Sequence, residues 1–368
     1  MRTVRRLLYR EVLGASGFVM LAFLGLFFFF DLVSELDDLG QRGYTIWKAL
    51  LVCLLQVPGH VYELAPIAVL IGAIYALARL AQSSEFTILR TGGLGPGRAL
   101  SLLTQLGVAF VLFTYVVGDF IAPWCDTRST LVQSERKGGL SVTAGGAWLR
   151  DTQPQADGTH QFTINFAGAT SKERIERVRI FEFGPRGQLL TRTTADSATI
   201  APDGRWTLEG VRISTWTPDT TPTLAADRTL ERSTWQSNLT QPVVAAAVLP
   251  LKTMSTPALY TYMVHLSENA QAAQRYEIQF WKKALYPFAC LVMMGLALPF
   301  AYLHARSGGI SLKVFGGVML GISFVLLNNV SNHLGLLQNW TPWIAASVPS
   351  VVYLMLSLTA FGWLVRNR

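Results

Sequence analysis

Glu85 stands in a short polar turn, Leu80-Ala-Gln-Ser-Ser-Glu85-Phe-Thr-Ile-Leu-Arg90-Thr-Gly-Gly93, between two long apolar runs. Ser83 or Ser84 can cap a helix N-terminus here. Glu85 then falls in the first turn, where the helix macrodipole favours an acid. Glu85, Ile88 and Leu89 share one face through their i, i+3, i+4 spacing. Gly92-Gly93 stops the helix and Pro96 prevents its resumption. Ser84, Glu85, Phe86, Leu89 and Arg90 thus form a small charged knob near residues 83–92. Such a knob fits a groove in a soluble partner. It would equally serve as a capped interfacial turn that reverses the chain, and the residues alone leave both readings open.

Other chemistry is absent from the sequence. No GxxxxGK[ST] occurs; Gly92-Gly-Leu-Gly-Pro-Gly97 lacks the lysine, and Pro96 removes an amide that a phosphate cradle would use. There is no GxSxG, HExxH or CxxC. His60, His160, His265, His304 and His333 are scattered and form no ligand set. Cys53, Cys125 and Cys290 give neither a disulfide framework nor metal spacing. The sequence therefore indicates no catalytic residue, no metal site and no cofactor bound by this chain.

The elements around the turn are membrane helices. The 368 residues are 51% hydrophobic and only 15% charged, against about 25% charged in soluble proteins. Val12–Phe30 is near the ~20 residues needed to span, and no small-x-small cleavage site follows it. It leaves into the acidic stretch Asp31, Glu35, Asp37 and Asp38. Ile46–Ala81 is long for one span, and Pro58-Gly59 predicts a break into an interfacial half-helix (46–57) and a span from about His60. Further spans are Leu100–Ala122, Trp281–Leu303, Val314–Asn328 and Trp343–Val365. Arg2, Arg5, Arg6 and Arg10 precede the first span, and Arg366 and Arg368 follow the last. This positive-inside pattern puts both termini and the Glu85 turn in the cytoplasm. The net charge of +8 belongs to that pattern. No dense basic helix or aromatic RNA-binding motif indicates nucleic acid.

The middle of the chain has another character. His160–Phe166, Arg177–Phe183, Gln188–Thr194, Trp206–Trp216 and Thr229–Leu239 alternate apolar and polar residues. Asp157-Gly158, Gly184-Pro185 and Asp203-Gly204 punctuate them. Period two with these turns predicts an antiparallel β domain, a sandwich or jelly roll. The predicted fold is thus an α-helical membrane protein with six transmembrane helices (3+3) and an inserted, jelly-roll-like periplasmic β domain. Its parts are residues 1–124 with the first three spans, 125–257 with the β domain, and 258–368 with a connecting helix and the last three spans.

Several ordered motifs carry a resemblance. Ala81-Gln-Ser-Ser-Glu85, Val57-Pro58, Pro66 and Gly118-Asp-Phe-Ile-Ala-Pro123 ahead of a β insert resemble the LptF/LptG permease family. Gly146-Ala-Trp148, Thr234-Trp-Gln-Ser-Asn-Leu239 and Arg275-Tyr276 with Trp281 resemble its LptG side more than its LptF side. The resemblance covers essentially the whole chain. It implies a permease subunit of an ABC transporter that extracts lipopolysaccharide from the bacterial inner membrane and passes it to a periplasmic β bridge. It implies an LptF-like permease, an LptB-like ATPase dimer that carries the ATP and magnesium, and an LptC-like membrane protein as partners. Glu85 takes the place of the family's coupling-helix acid.

The family also places cations near the outer end of the cavity, where lipopolysaccharide phosphates bind. This chain has Asp31, Asp37 and Asp38 in that part of its first span instead. Arg128, Arg136, Lys137, Lys282 and Lys283 are the alternatives, with Phe27 and Phe30 as apolar surface for acyl chains. Each cation is also explicable as a snorkelling interfacial residue. Gly317 and Gly321 on span five form a GxxxG pattern that permits close helix approach. With Gly25 on span one they are candidates for gate packing. The competing reading is a non-transporting membrane scaffold that regulates an envelope enzyme. A membrane-embedded lipid enzyme lacks a paired catalytic constellation within the spans.

Overall fold

The computed structural model describes residues 2–37, 39–40, 44–83, 85–91, 95–137, 140–141, 146–155, 158–169, 174–201, 203–216, 224–248, 250–268, 273–302 and 309–366. They form two compact units: residues 1–39, 49–126 and 277–368, and residues 40–48 and 127–276.

The first unit is helical. Its helices are α1 (Arg2–Leu36), α2 (Ile46–Gln82), α3 (Glu85–Thr91) and α4 (Pro96–Val116), which runs through a π turn (Val117–Ile121) into α5 (Ala122–Lys137). After the insertion come α8 (Gln274–Leu285), a 3₁₀ turn at Tyr286–Phe288, α9 (Ala289–Tyr302), α10 (Ile310–Leu337) and α11 (Pro342–Arg366). Six of these stretches are long and apolar enough to cross a membrane. The expected break at Pro58-Gly59 is absent, because α2 continues through Pro58 and Pro66. Proline removes one backbone donor, a loss that packed neighbours tolerate within membrane helices. α2 is the axis of the unit: 83% of its apolar stretch is buried, against 11% for α1. Leu70, Ile74 and Leu77 of α2 pack with Leu103 of α4, Met293 and Met294 of α9 and Phe324 of α10.

The second unit carries the inserted sheet, with α6 (Gln241–Val248) and α7 (Thr256–Glu268) following it. Its long strands are β2 (Ala147–Gln155), β3 (Gly158–Phe166), β5 (Arg174–Phe183), β6 (Leu189–Ile200), β7 (Arg205–Trp216) and β8 (Leu224–Gln236). The two-residue strands β1 (Leu140–Ser141) and β4 (Gly168–Ala169) pair with each other, and β4 also pairs with β5. All pairings are antiparallel, and each long strand lies beside its predecessor. Gly187 and Gly204 take positive φ in the β5–β6 and β6–β7 turns, a conformation glycine adopts without penalty. Leu149, Ile164, Ile180, Trp206 and Leu208 are buried on one face, as period two requires.

The sheet curls until its ends meet. Phe162 on β3 packs against Trp235 on β8, with ring centroids 5.6 Å apart. Asp151 of β2, 1% exposed, is the clasp. Its Oδ2 accepts from Ser237 Oγ (2.7 Å), Gln153 Nε2 (2.7 Å) and the Asn238 amide (3.1 Å), and its Oδ1 from Asn238 Nδ2 (3.1 Å). Trp206 Nε1 donates to the Leu239 carbonyl at 3.1 Å. Ser237, Asn238 and Leu239 therefore fasten the end of β8 across the curl.

Two predictions follow from this sheet. Asp151→Ala leaves Ser237 and Asn238 without their buried acceptor. Loss of a buried charged acceptor costs about 3 kcal/mol, so amides of β2 and β8 should exchange hydrogen roughly a hundredfold faster, while α2 keeps its protection. Near the other end, the Ser197 hydroxyl, the Arg232 guanidinium and the charge of Arg174 hold the exposed Glu209 carboxyl below its usual range. A depressed carboxylate stabilises the fold above the ordinary glutamate pKa, and that contribution disappears as pH falls through the lower folded value. Exchange along β6–β8 should therefore accelerate in that acid range, and Glu209→Gln should flatten the dependence.

Candidate functional site

α3 follows α2 after a single turn. Ser83 does not cap it: its hydroxyl donates back to the Leu80 carbonyl at 3.3 Å and its amide to the Arg79 carbonyl at 3.0 Å, closing α2. Ser84 lies outside the described residues, as do the side chains of Phe86 and Arg90. Glu85 opens the helix, as its dipole favours. Thr91 Oγ1 donates to the Ile88 carbonyl at 2.9 Å near the end.

The two faces of α3 differ. Leu89 is half-buried and packs on the transmembrane core. Glu85 is exposed and Ile88 is 67% exposed. α3 thus has an anchored leucine behind an exposed acid and an exposed isoleucine. Ile88 is the residue missing from the sequence-derived knob. Spacing puts it on one face with Glu85 and Leu89, but Leu89 turns onto the core while Glu85 and Ile88 stay exposed, so that face is split.

A second polar constellation lies where α1, α2, the π turn and α8 come together. The π turn has a local cause. Pro123 cannot donate, and its ring would strike the carbonyl four residues back. Widening the turn relieves this, and the Ala122 amide bonds the Val117 carbonyl five residues back. Gly118 within it accepts the ring of Tyr62: a Cβ there would sit 2.1 Å from Tyr62 Cδ2. Tyr62 Oη donates to the Lys283 carbonyl at 3.3 Å, and Tyr286 Oη to the Glu63 carbonyl. Asp119 in the turn is buried. These contacts give Gly118, Asp119 and Pro123 of the sequence motif their structural reasons.

The cations proposed from sequence separate here. Lys283 is buried, its charge interacting with Asp119 and Asp126. Lys282 is half-buried and Arg128 is exposed on α5. The side chains of Arg136 and Lys137 lie outside the described residues. Phe30 is 58% exposed, while the ring of Phe27 lies 5.0 Å from that of His60. His60 Nε2 is 2.7 Å from Asp31 Oδ2, so the acidic end of α1 has a partner on α2. Sequence gave no sign of this pair, because the two residues are joined only by the packing of α1 on α2.

The glycines divide in the same way. Gly317 and Gly321 face α2 of their own chain. A Cβ on either would lie 2.7 Å from Ile74 Cδ1 or 2.8 Å from Ile67 Cγ2. The GxxxG pattern thus builds the bundle, and Leu312, Phe315, Met319, Ile322 and Leu326 form the exposed face of α10. Gly25 meets nothing within 4 Å. Among the described residues, no group of three or more His, Cys, Asp or Glu is placed to hold a metal ion.

Similarity to known proteins runs through the whole chain. The sequence matches the family described as lipopolysaccharide export system permease LptF/LptG over residues 6–364. It is 26% identical over 372 residues to the lipopolysaccharide export system permease protein LptG of Haemophilus influenzae, covering 100% of this chain and 99% of that protein. It is 27% identical over 339 residues to the protein of the same name from Escherichia coli K12, covering 91% of this chain and 90% of the relative. Six apolar helices, a β domain inserted after the third and a short helix between the second and third accompany a family match over nearly every residue, and the chain belongs to the LptF/LptG family of lipopolysaccharide export permeases.

Proposed function

We propose that this chain is one permease half of a transporter that lifts lipopolysaccharide out of a bacterial inner membrane and passes it to a periplasmic β bridge. The observation that carries the mechanism is α3, anchored inward by Leu89 and presenting Glu85 and Ile88 outward. Both termini and α3 lie in the cytoplasm, following the arginines at Arg5, Arg6, Arg10 and Arg366. The β unit lies in the periplasm. An LptB-like ATPase dimer receives α3, an LptF-like permease supplies the other half of the cavity, and an LptC-like protein extends the bridge.

Closure of the ATPase dimer displaces α3, and Leu89 passes the displacement to the core. Work is done only insofar as the ATPase contacts α3 differently in its two states. The exposed apolar faces of α1 and α10 supply surface for acyl chains and for the second permease. Lys283 is buried beside Asp119 and Asp126, whereas Arg128 is exposed and Lys282 half-buried, which favours the latter two as contacts for phosphate groups.

Exposed Ile88 and Glu85 can change without disturbing the core. Ile88→Asp and Glu85→Lys should each weaken ATPase association by about 2 kcal/mol, about thirtyfold in Kd, measured by co-purification and titration in detergent. Leu89→Ala should keep the ATPase bound but lower lipid released per ATP hydrolysed. Unchanged association in both surface variants would overturn the role of α3.

A further inference from the structure

The sheet uses arginine in two ways. The guanidinium groups of Arg174 and Arg232 lie 3.2 Å and 3.1 Å from the carboxylate of Glu209. Those arginines pair across strands, and the sheet itself accounts for them. Further along the strands the register gathers a different set. Thr194 of β6 lies between Arg179 of β5 and Arg212 of β7. Arg192, two residues before Thr194, faces the same side and lies between Phe181 of β5 and Ser214 of β7. The buried Ile180, between Arg179 and Phe181, belongs to the opposite face with Leu149 and Ile164.

Arg179, Arg192 and Arg212 are all exposed, and among the described residues none of them forms an ion pair. Two acids are near them in the sheet, and each is engaged elsewhere. Asp227 of β8 accepts from the Ser214 hydroxyl at 3.2 Å, and Asp196 has its carboxylate against Gly210. A strand spacing of roughly 4.8 Å puts Arg179 and Arg212 about 10 Å apart across Thr194, with Arg192 about 7 Å along β6. Side chains as long as arginine can meet over Thr194 from those three positions. Aromatic rings border them. Phe181 stacks with Trp148 of β2, with planes 20° apart and centroids 6.2 Å apart, and Trp148 is 53% exposed. The Arg192 guanidinium lies 5.8 Å from the centre of the Phe181 ring. That contact steadies the guanidinium and leaves its N–H edge free to donate.

Three like charges held this close favour a ligand that brings several negative charges to one point. A phosphate group does so, and it accepts the paired N–H bonds of guanidinium. A flat anionic membrane rewards summed charge and needs no convergence. An acidic peptide spreads its charges along an extended chain. The stacked rings add a second requirement. They offer apolar surface beside the charges, which suits the C–H face of a sugar ring.

We propose that this face of the β domain binds a phosphorylated saccharide, with Arg179, Arg192 and Arg212 gathered on a phosphate over Thr194 and a sugar ring resting on Trp148 and Phe181. The source is the saccharide portion of lipopolysaccharide, an identity that rests on the export reading. The site lies opposite the apolar side of the sheet, so it takes the part of the lipid that water already solvates.

The test uses the full chain in nanodiscs of zwitterionic phosphatidylcholine, with deacylated lipopolysaccharide as the probe. Arg192→Gln and Arg212→Gln should each weaken binding about tenfold. Phosphatase treatment of the probe should weaken binding as much and abolish the difference between these variants and the unaltered chain. Trp148→Ala should weaken binding of both probes at least threefold. Arg205→Gln, which removes the same charge from an exposed position at the start of β7, should bind as the unaltered chain does. An equal loss in Arg205→Gln, no effect of Trp148→Ala, or displacement of the probe by phosphatidylglycerol added to the bilayer would overturn the site. Continued lipopolysaccharide export by a chain that does not bind the probe would overturn the site and leave the export reading standing. A chain that binds the probe as expected, yet releases no lipopolysaccharide when assembled with its ATPase and partner permease, would uphold the site and overturn the export reading.

Discussion

Apolar side chains have little to choose between lipid tails and one another, so membrane helices are held by shape and by polar contacts. In this helical unit shape is set by glycine. Gly72 admits the backbone of α1, Gly107 the Leu291 side chain of α9, Gly118 the ring of Tyr62, and Gly317 and Gly321 the isoleucines Ile74 and Ile67. Four of these five contacts involve α2 or residues projecting from it. A Cβ at any of the five would approach within 3.0 Å of a neighbouring atom. α1, the π turn and α10 thus come close to α2 where one side of the contact is a glycine.

This constraint sorts the polar groups as well. Backbone donors lost to Pro58, Pro66 and Pro123 fall in helices with packed neighbours or in a widened turn. Side-chain charges are confined to the ends: Glu11 and Arg79 at one, Asp31, His60, Asp119 and Lys283 at the other. A buried charge needs a partner. Lys283 is buried with the carboxylates of Asp119 in the π turn and Asp126 in α5 acting on its charge. A basic residue near a membrane surface is therefore a poor guide to phosphate binding until its own neighbours are known.

The elements that sequence made legible are those set by local chemistry. Span count, the β insertion and the position of α3 follow from hydropathy, period two and capping signals, all of which act over one element. The continuous α2 was not legible, because Pro58-Gly59 breaks a helix in water and is tolerated in a packed membrane bundle. Glu85 was readable from its place in the first turn, whereas Ile88 needed the docking of Leu89. The Asp31–His60 pair and the Asp151 clasp join residues 29 and 86 positions apart. Nothing in either segment announces its partner. Ser237 and Asn238 were visible as part of a family motif, and only the curl of the sheet explains them.

The two units solve opposite problems. The sheet works in water, where burial of Leu149, Ile164 and Trp206 drives closure and Asp151 fixes the register of the curl. Opening it exposes apolar surface and a buried carboxylate together, so it stays shut. The helical unit has no such force between its peripheral spans and the lipid. α3 packs on the core through Leu89, and residues 17–30 of α1 include none that is buried. Parts held by few contacts can move without unfolding the α2 core. A permease needs that division: a core that does not yield, and a thin set of contacts on which a few kilocalories of differential binding can act.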